Sequence, residues 1–210
     1  MIALVLVAAL ISPVDETANL IGLWDSVKTS SGGIGQTLEF RGDGTFVEAA
    51  TVLVDGYYRV IGDRLVVGQQ PLGADAKQST RIKIEGDVFV QTGPDGTVIR
   101  RERIGPGGEG KAGIVGAWRY HHYTNAVAFE RYTDEGRFFF RLPMSSSVGR
   151  YVLKGGELLL LRPNQPDVKM RAETRGDTLS LSGGGRVTDY RRDPAGPWYD
   201  REHIARQPQK

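Results

Sequence analysis

Residues 20–26 read LIGLWDS, and residues 113–120 read GIVGAWRY. In both copies an apolar pair is followed by Gly, any residue and Trp, with Trp24 and Trp118 94 positions apart. A motif spelled twice at this distance asks whether the surrounding chain is also spelled twice.

It is. DGTF ending at Phe46 matches EGRF ending at Phe138, and GYYRVIGDRLVV (56–67) matches GRYVLKGGELLL (149–160). EGDVFV (85–90) matches RGDTLS (175–180), and VIRRER (98–103) matches VTDYRR (187–192). The offsets run 94, 92, 93, 90 and 89, the drift that small loop insertions produce. The chain therefore contains an internal repeat of about 90 residues.

Each unit reads as strands. YYRVI and RLVV are β-branched or aromatic runs separated by Gly-Asp, and Gly-Asp, Asp-Gly and Gly-Gly pairs between short runs are hairpin signals. Neither unit sustains a 3.6-residue apolar period beyond two turns. Each is expected to hold seven or eight antiparallel strands in a meander. GPGGEGKAG (105–113) reads as a Gly-rich linker, and PWYDREHIARQ (197–207) as a short helix or tail. The expected fold class is all-β, with two tandem small antiparallel up-and-down barrels spanning 19–104 and 113–193, a linker at 105–112 and a tail at 194–210.

Alternation assigns faces. Tyr58, Val60, Leu65 and Val67 in the first unit align with Tyr151, Leu153, Leu158 and Leu160 in the second, and all are expected inward. Phe89 and Gln91 align with Leu179 and Leu181, so Gln91 is polar where its counterpart is Leu. Tyr58, Phe89, Gln91 and Tyr151 are the candidate ligand-lining residues, with a wet rim as the plainer reading of Gln91.

Composition narrows the function classes. The net charge is +2, too small to argue for nucleic acid. Residues 113–193 carry 13 Lys/Arg against 9 Asp/Glu, so the second unit is mildly basic, chiefly through Arg. The absence of cysteine removes disulfides, thiol catalysis and Cys-based zinc sites. Ile2–Ile11 form an apolar run too short to span a bilayer and suited to the core of a secretory leader. Val7 and Ala9 would be the −3 and −1 residues of its cleavage site. No Lys or Arg precedes the run, and a buried strand is the alternative. The leader reading removes residues 1–18 and places the mature protein outside the cytoplasm, periplasmic or secreted.

Gly-x-Trp on the first strand, an antiparallel meander and an Arg on the last strand resemble the lipocalin-like, or calycin, superfamily, over most of 20–104 and 113–193. The resemblance implies that each Trp plugs the closed end of a barrel with an Arg of the final strand lying across it. It matches Trp24 with Arg103 and Trp118 with Arg192, with Arg101 and Arg191 as the next candidates. Strands of five to seven residues reach only about 20 Å, short for a full lipocalin.

Other chemistry is weakly written. Gly105, Gly110 and Lys111 have phosphate-loop spacing, but Ala112 replaces the Ser or Thr that would hold magnesium, and the loop leads to a strand. His121 and His122 are adjacent and face opposite sides of a strand, and His203 lies in the tail, so no metal site is assigned. RGD at 41–43 and 175–177 falls where the repeat needs turns. No serine sits in a nucleophile elbow. The expected function is a non-enzymatic exported protein, without cofactor, that binds a small apolar or amphipathic ligand through lipocalin-like domains. The alternative is a structural or interaction module with filled barrels that docks an envelope protein. Neither reading involves nucleic acid or a transmembrane segment in the mature chain.

Overall fold

The computed structural model describes residues 16–72, 79–104 and 113–193. A five-residue helix, α1 (Glu16–Leu20), precedes fourteen strands. The first half supplies β1 (Gly22–Ser26), β2 (Ile34–Phe40), β3 (Thr45–Ile61), β4 (Arg64–Gly68), β5 (Ser79–Glu85), β6 (Val88–Thr92) and β7 (Val98–Ile104). The second supplies β8 (Gly116–His121), β9 (Val127–Tyr132), β10 (Arg137–Lys154), β11 (Glu157–Leu161), β12 (Val168–Arg175), β13 (Thr178–Gly183) and β14 (Arg186–Arg192).

All fourteen strands belong to one antiparallel sheet. Each pairs with the next in sequence, and β14 returns to β1, so the sheet closes as a ring. The ring is not a barrel, because β3 and β10 also pair with each other across its middle. That seam pinches the ring into two lobes. The Trp24 lobe holds β1, β2, the first half of β3, the second half of β10 and β11–β14. The Trp118 lobe holds the remainder of β3 and β10 with β4–β9.

The expected pair of tandem barrels, and with it the lipocalin-like assignment, is thus corrected. The physical reason is the length of two strands. YYRVI reads as a short strand of its own, but it is the far end of β3, which begins at Thr45 and runs unbroken for 17 residues. At about 3.3 Å per residue it extends about 56 Å, enough to leave one lobe and enter the other. Its counterpart β10 runs for 18. Each unit gives its first strands to one lobe and its last strands to the other.

The β3–β10 seam is symmetric. Arg137 pairs with Tyr57 at one end and Arg150 with Thr45 at the other, and these are the same pair under the repeat alignment. Thr51 and Pro143, equivalent positions in the two units, are partners at the centre. A bulge between Pro143 and Ser145 absorbs the extra residue of the second unit.

The interior of each lobe is packed. Trp24, Leu38, Phe40, Phe46, Tyr151, Leu158, Leu179 and Tyr190 are buried together in one. Leu65, Phe89, Trp118, Tyr132 and Phe138 fill the other. A third cluster, Leu23, Val47, Ala49 and Phe129, lies between the lobes on the outward faces of β1, β3 and β9. Val60 and Val67, expected inward, are exposed near the end of the β3–β4 hairpin.

The twice-written motif has a local cause. Trp24 and Trp118 are fully buried, and their indole N–H groups donate to the carbonyls of Leu20 and Ile114, each at 2.8 Å. An arginine lies over each ring at 4.1 Å. Gly22 and Gly116 have φ of 138° and 133°, and a Cβ on either would come within 2.6 and 2.5 Å of that arginine's Nη1. The Gly therefore lets the guanidinium cross the strand.

Candidate functional site

The four candidate ligand-lining residues do not share one site. Tyr151 is in the Trp24 lobe, its ring against Phe40 and its hydroxyl donating to the Arg41 carbonyl. Tyr58 and Phe89 pack in the Trp118 lobe, with the Tyr58 hydroxyl donating to the Thr133 carbonyl. Gln91 donates to Thr80 Oγ1 at 2.7 Å. These groups are occupied by protein contacts. Without a barrel to house it, the expected lipocalin pocket for an apolar ligand has no place in this fold, and that function is withdrawn.

The four Trp and Arg residues are brought together, but with exchanged partners. Arg192 lies over Trp24 and Arg103 over Trp118. Arg103 donates to the carbonyls of Val115 and Gly113, three and five residues before its Trp. Arg192 donates to those of Ile21 and Asn19 in the same relation to Trp24. The Gly-Asp turns contribute too, since Asp87 ion-pairs with Arg103 at 3.2 Å and Asp177 approaches Arg192 at 4.0 Å. Turn geometry thus accounts for the second RGD. In the first, Asp43 accepts from the backbone and hydroxyl of Thr45.

Arg101 and Arg191, the next candidates for stacking on Trp, do other things. Arg101 points into the Trp118 lobe and forms a two-pronged ion pair with Glu130 at 2.6 and 2.9 Å, both side chains buried. Its guanidinium sits between the rings of Phe89 and Tyr120. Tyr132 donates to Glu130 at 2.8 Å. Burial, reinforced by the Glu130 charge, pushes the hydroxyls of Tyr120 and Tyr132 above their ordinary range.

Arg191 instead faces a cleft of about 400 Å³ at the waist between the lobes. Strand alternation builds it. Trp24 points into its lobe, so Asp25 points out; Phe138 and Phe140 point into theirs, so Phe139 and Arg141 point out toward Asp25. Arg141, 4 % exposed, is the centre. Its Nε donates to Asp25 at 2.8 Å and its Nη1 to Asp55 at 2.7 Å. Thr37 donates to the other Asp25 oxygen at 2.8 Å. Burial raises the Asp25 carboxyl above its usual range; Arg141 and Thr37 pull it down, and Asp193 pushes it up.

The rim is basic. Arg137 donates to the Gly56 carbonyl and stacks on Tyr57 at 4.5 Å. Arg192, stacked on Trp24, also lines the cleft, and Asp193 accepts from Arg131, which lies behind the lining, at 3.2 Å. Arg191 is exposed, and its side chain makes no hydrogen bond or ion pair among the described residues. In all, four arginines and three aspartates line the cleft, with Leu53, Phe139 and Val27 as its apolar wall. This arrangement can fix a small anion against Arg191 while the Asp25–Arg141–Asp55 network holds the floor rigid.

The symmetry of the ring gives that set a control. Across the β3–β10 seam, Ala49 stands where Arg141 does, Val47 where Phe139 does, and Ile104 where Asp193 does. Those residues close the equivalent place with apolar packing. The counterparts of Asp25 and Arg191, Arg119 and Glu102, keep a half-exposed ion pair at 3.3 Å, so the joint is built there without a buried arginine or the aspartates that hold it. Sequence reading passed over Asp25, Asp55, Arg137, Arg141 and Asp193. The available signal was Arg141 aligning with Ala49 inside an otherwise well-matched pair of units.

His121 ends β8 exposed, and His122 Nδ1 lies 2.9 Å from Thr124 Oγ1. Among the described residues, no three His, Cys, Asp or Glu side chains are gathered to hold a metal, and no helix is long and apolar enough to cross a membrane. Residues 1–15 of the expected leader 1–18, the loop 105–112, the tail from 194 and His203 lie outside the described residues, and residues 16–18 fall in α1. No family model, curated protein or solved structure matches the chain.

Proposed function

We propose that the protein is a non-enzymatic, exported binding module that takes a small carboxylate-bearing molecule into its waist cleft. One observation carries the reading: the Arg191 guanidinium, with no side-chain partner among the described residues, stands over a cleft whose buried Arg141 has only Ala49 at the equivalent position of the other unit. Arginine recognises carboxylate through paired N–H donors. The cleft's size suits a small ligand, and Leu53 and Phe139 offer its carbon skeleton an apolar wall. The floor, one arginine held between two aspartates, has no cation to spare, so the ligand's charge is met by the rim. Export rests on the leader-like run Ile2–Ile11.

The test is calorimetric titration with acetate, benzoate and citrate, each beside its uncharged amide. At least one carboxylate is expected to saturate one site, its amide to fail, and Arg191→Ala to weaken binding about tenfold or more. Binding should also fall as salt rises. Equal binding of acid and amide, or an unchanged affinity in Arg191→Ala, would overturn the reading.

A further inference from the structure

We infer that the two halves of this chain are a mutually obligate binding pair, each the partner surface of the other, and that the ring is held by their interface and not by the covalent link between Ile104 and Gly113. The inference is independent of what the waist cleft binds.

Three seams join the halves: β1 to β14, β3 to β10 and β7 to β8. The β3–β10 seam alone aligns thirteen residue pairs. It is self-complementary about Thr51–Pro143, the arrangement by which two-fold symmetric dimers present one surface to its copy. Neither lobe is closed by one half. Trp24 and Phe46 need Leu158 and Leu179 to complete their core, and Phe89 needs Trp118 and Tyr132. A separated half would expose those faces and the unpaired edges of its long strand, and would lose the core residues its partner supplies.

The buried charges follow the same division. Arg101 and Glu130 come from opposite halves, as do Asp25 and Arg141. Separation would strip each of its partner. The Trp–Arg stacks divide in the same way: Trp24 and Arg192 cross the halves through the β1–β14 seam, and Arg103 and Trp118 through the β7–β8 seam.

The experiment uses the full chain with a single protease site placed between Ile104 and Gly113, cut after folding. The cut protein is expected to elute at the volume of the intact one and to melt in one transition. Its Tm should rise with protein concentration, while that of uncut protein does not, because only the cut form unfolds to two chains. Two species of about half the mass, each keeping a folded spectrum, would overturn the inference. A second variant guards against a site that blocks folding. Ala50→Cys with Ser145→Cys places the only two thiols of the chain at partnered positions on β3 and β10. Oxidation is expected to join the peptides of the two halves, and failure to crosslink in folded protein would equally overturn it.

Discussion

Arg192 lies over the ring of Trp24 at 4.1 Å, although 168 residues of chain separate them, and Arg103 lies over Trp118 at the same distance. Each stack contains one residue from each half. A defect in either therefore belongs to the whole ring and not to one repeat.

Trp24→Ala is expected to cost about 3–5 kcal/mol, as large aromatic truncations in packed cores do. The loss should appear as one lowered transition for the entire protein in thermal melts followed by circular dichroism. A melt in which one half unfolds and the other keeps its original Tm would contradict this.

Gly22→Ala and Gly116→Ala should each destabilise by more than about 1 kcal/mol, because the backbone there is unsuited to a side chain. The new methyl also meets the stacked arginine, so the change should perturb tryptophan fluorescence. Gly62→Ala, at positive φ but in open space, is the control that isolates the backbone term.

Glu130→Ala strands the buried Arg101 charge and is expected to cost about 3–5 kcal/mol. Replacing both partners, as Arg101→Met with Glu130→Leu, should recover much of that loss. Denaturant melts of the two singles and the double form the cycle that checks it.

Arg141→Met leaves the buried Asp25 without its main partner, and the same range of about 3–5 kcal/mol applies. Arg191→Ala, at an exposed side chain without partners among the described residues, should stay within about 0.5 kcal/mol of the parent. Chemical denaturation of both variants separates the structural floor of the cleft from its rim.

The buried hydroxyls of Tyr120, Tyr132 and Tyr190 are pushed up by burial and by nearby Glu130 or Glu48. A hydroxyl raised in the folded state contributes stability that is full below the unfolded tyrosine value near 10 and is lost as pH rises through the folded value. Ultraviolet titration should show these tyrosines ionising above the ordinary tyrosine range, with stability declining above about pH 10. Early ionisation of all tyrosines in folded protein would contradict the burial.

Strands and turns were legible because they are local. Gly-Asp at 62–63, 86–87 and 176–177 marks hairpins that the pairing contains. The path of β3 was not legible. Gly56 interrupts an apolar alternation and reads as punctuation, whereas in the sheet it is buried opposite Phe138, with the Gly68 carbonyl where its side chain would be. Which half closes which lobe depends on contacts about 90 residues apart, and a repeat reads identically whether its units close alone or trade strands. The cleft failed to register for the same reason: Asp25, Asp55 and Arg141 are ordinary outward charges until two outward faces meet.

The seam between β1 and β14 has the same form as that between β7 and β8: first and last strands of the units, paired antiparallel, with an Arg laid on a Trp. The ring consequently has no structurally privileged starting point. A circular permutant that joins residue 193 to residue 16 through a short linker and begins at residue 113 would thread the same fourteen strands in the same neighbours, exchanging only the roles of the two seams.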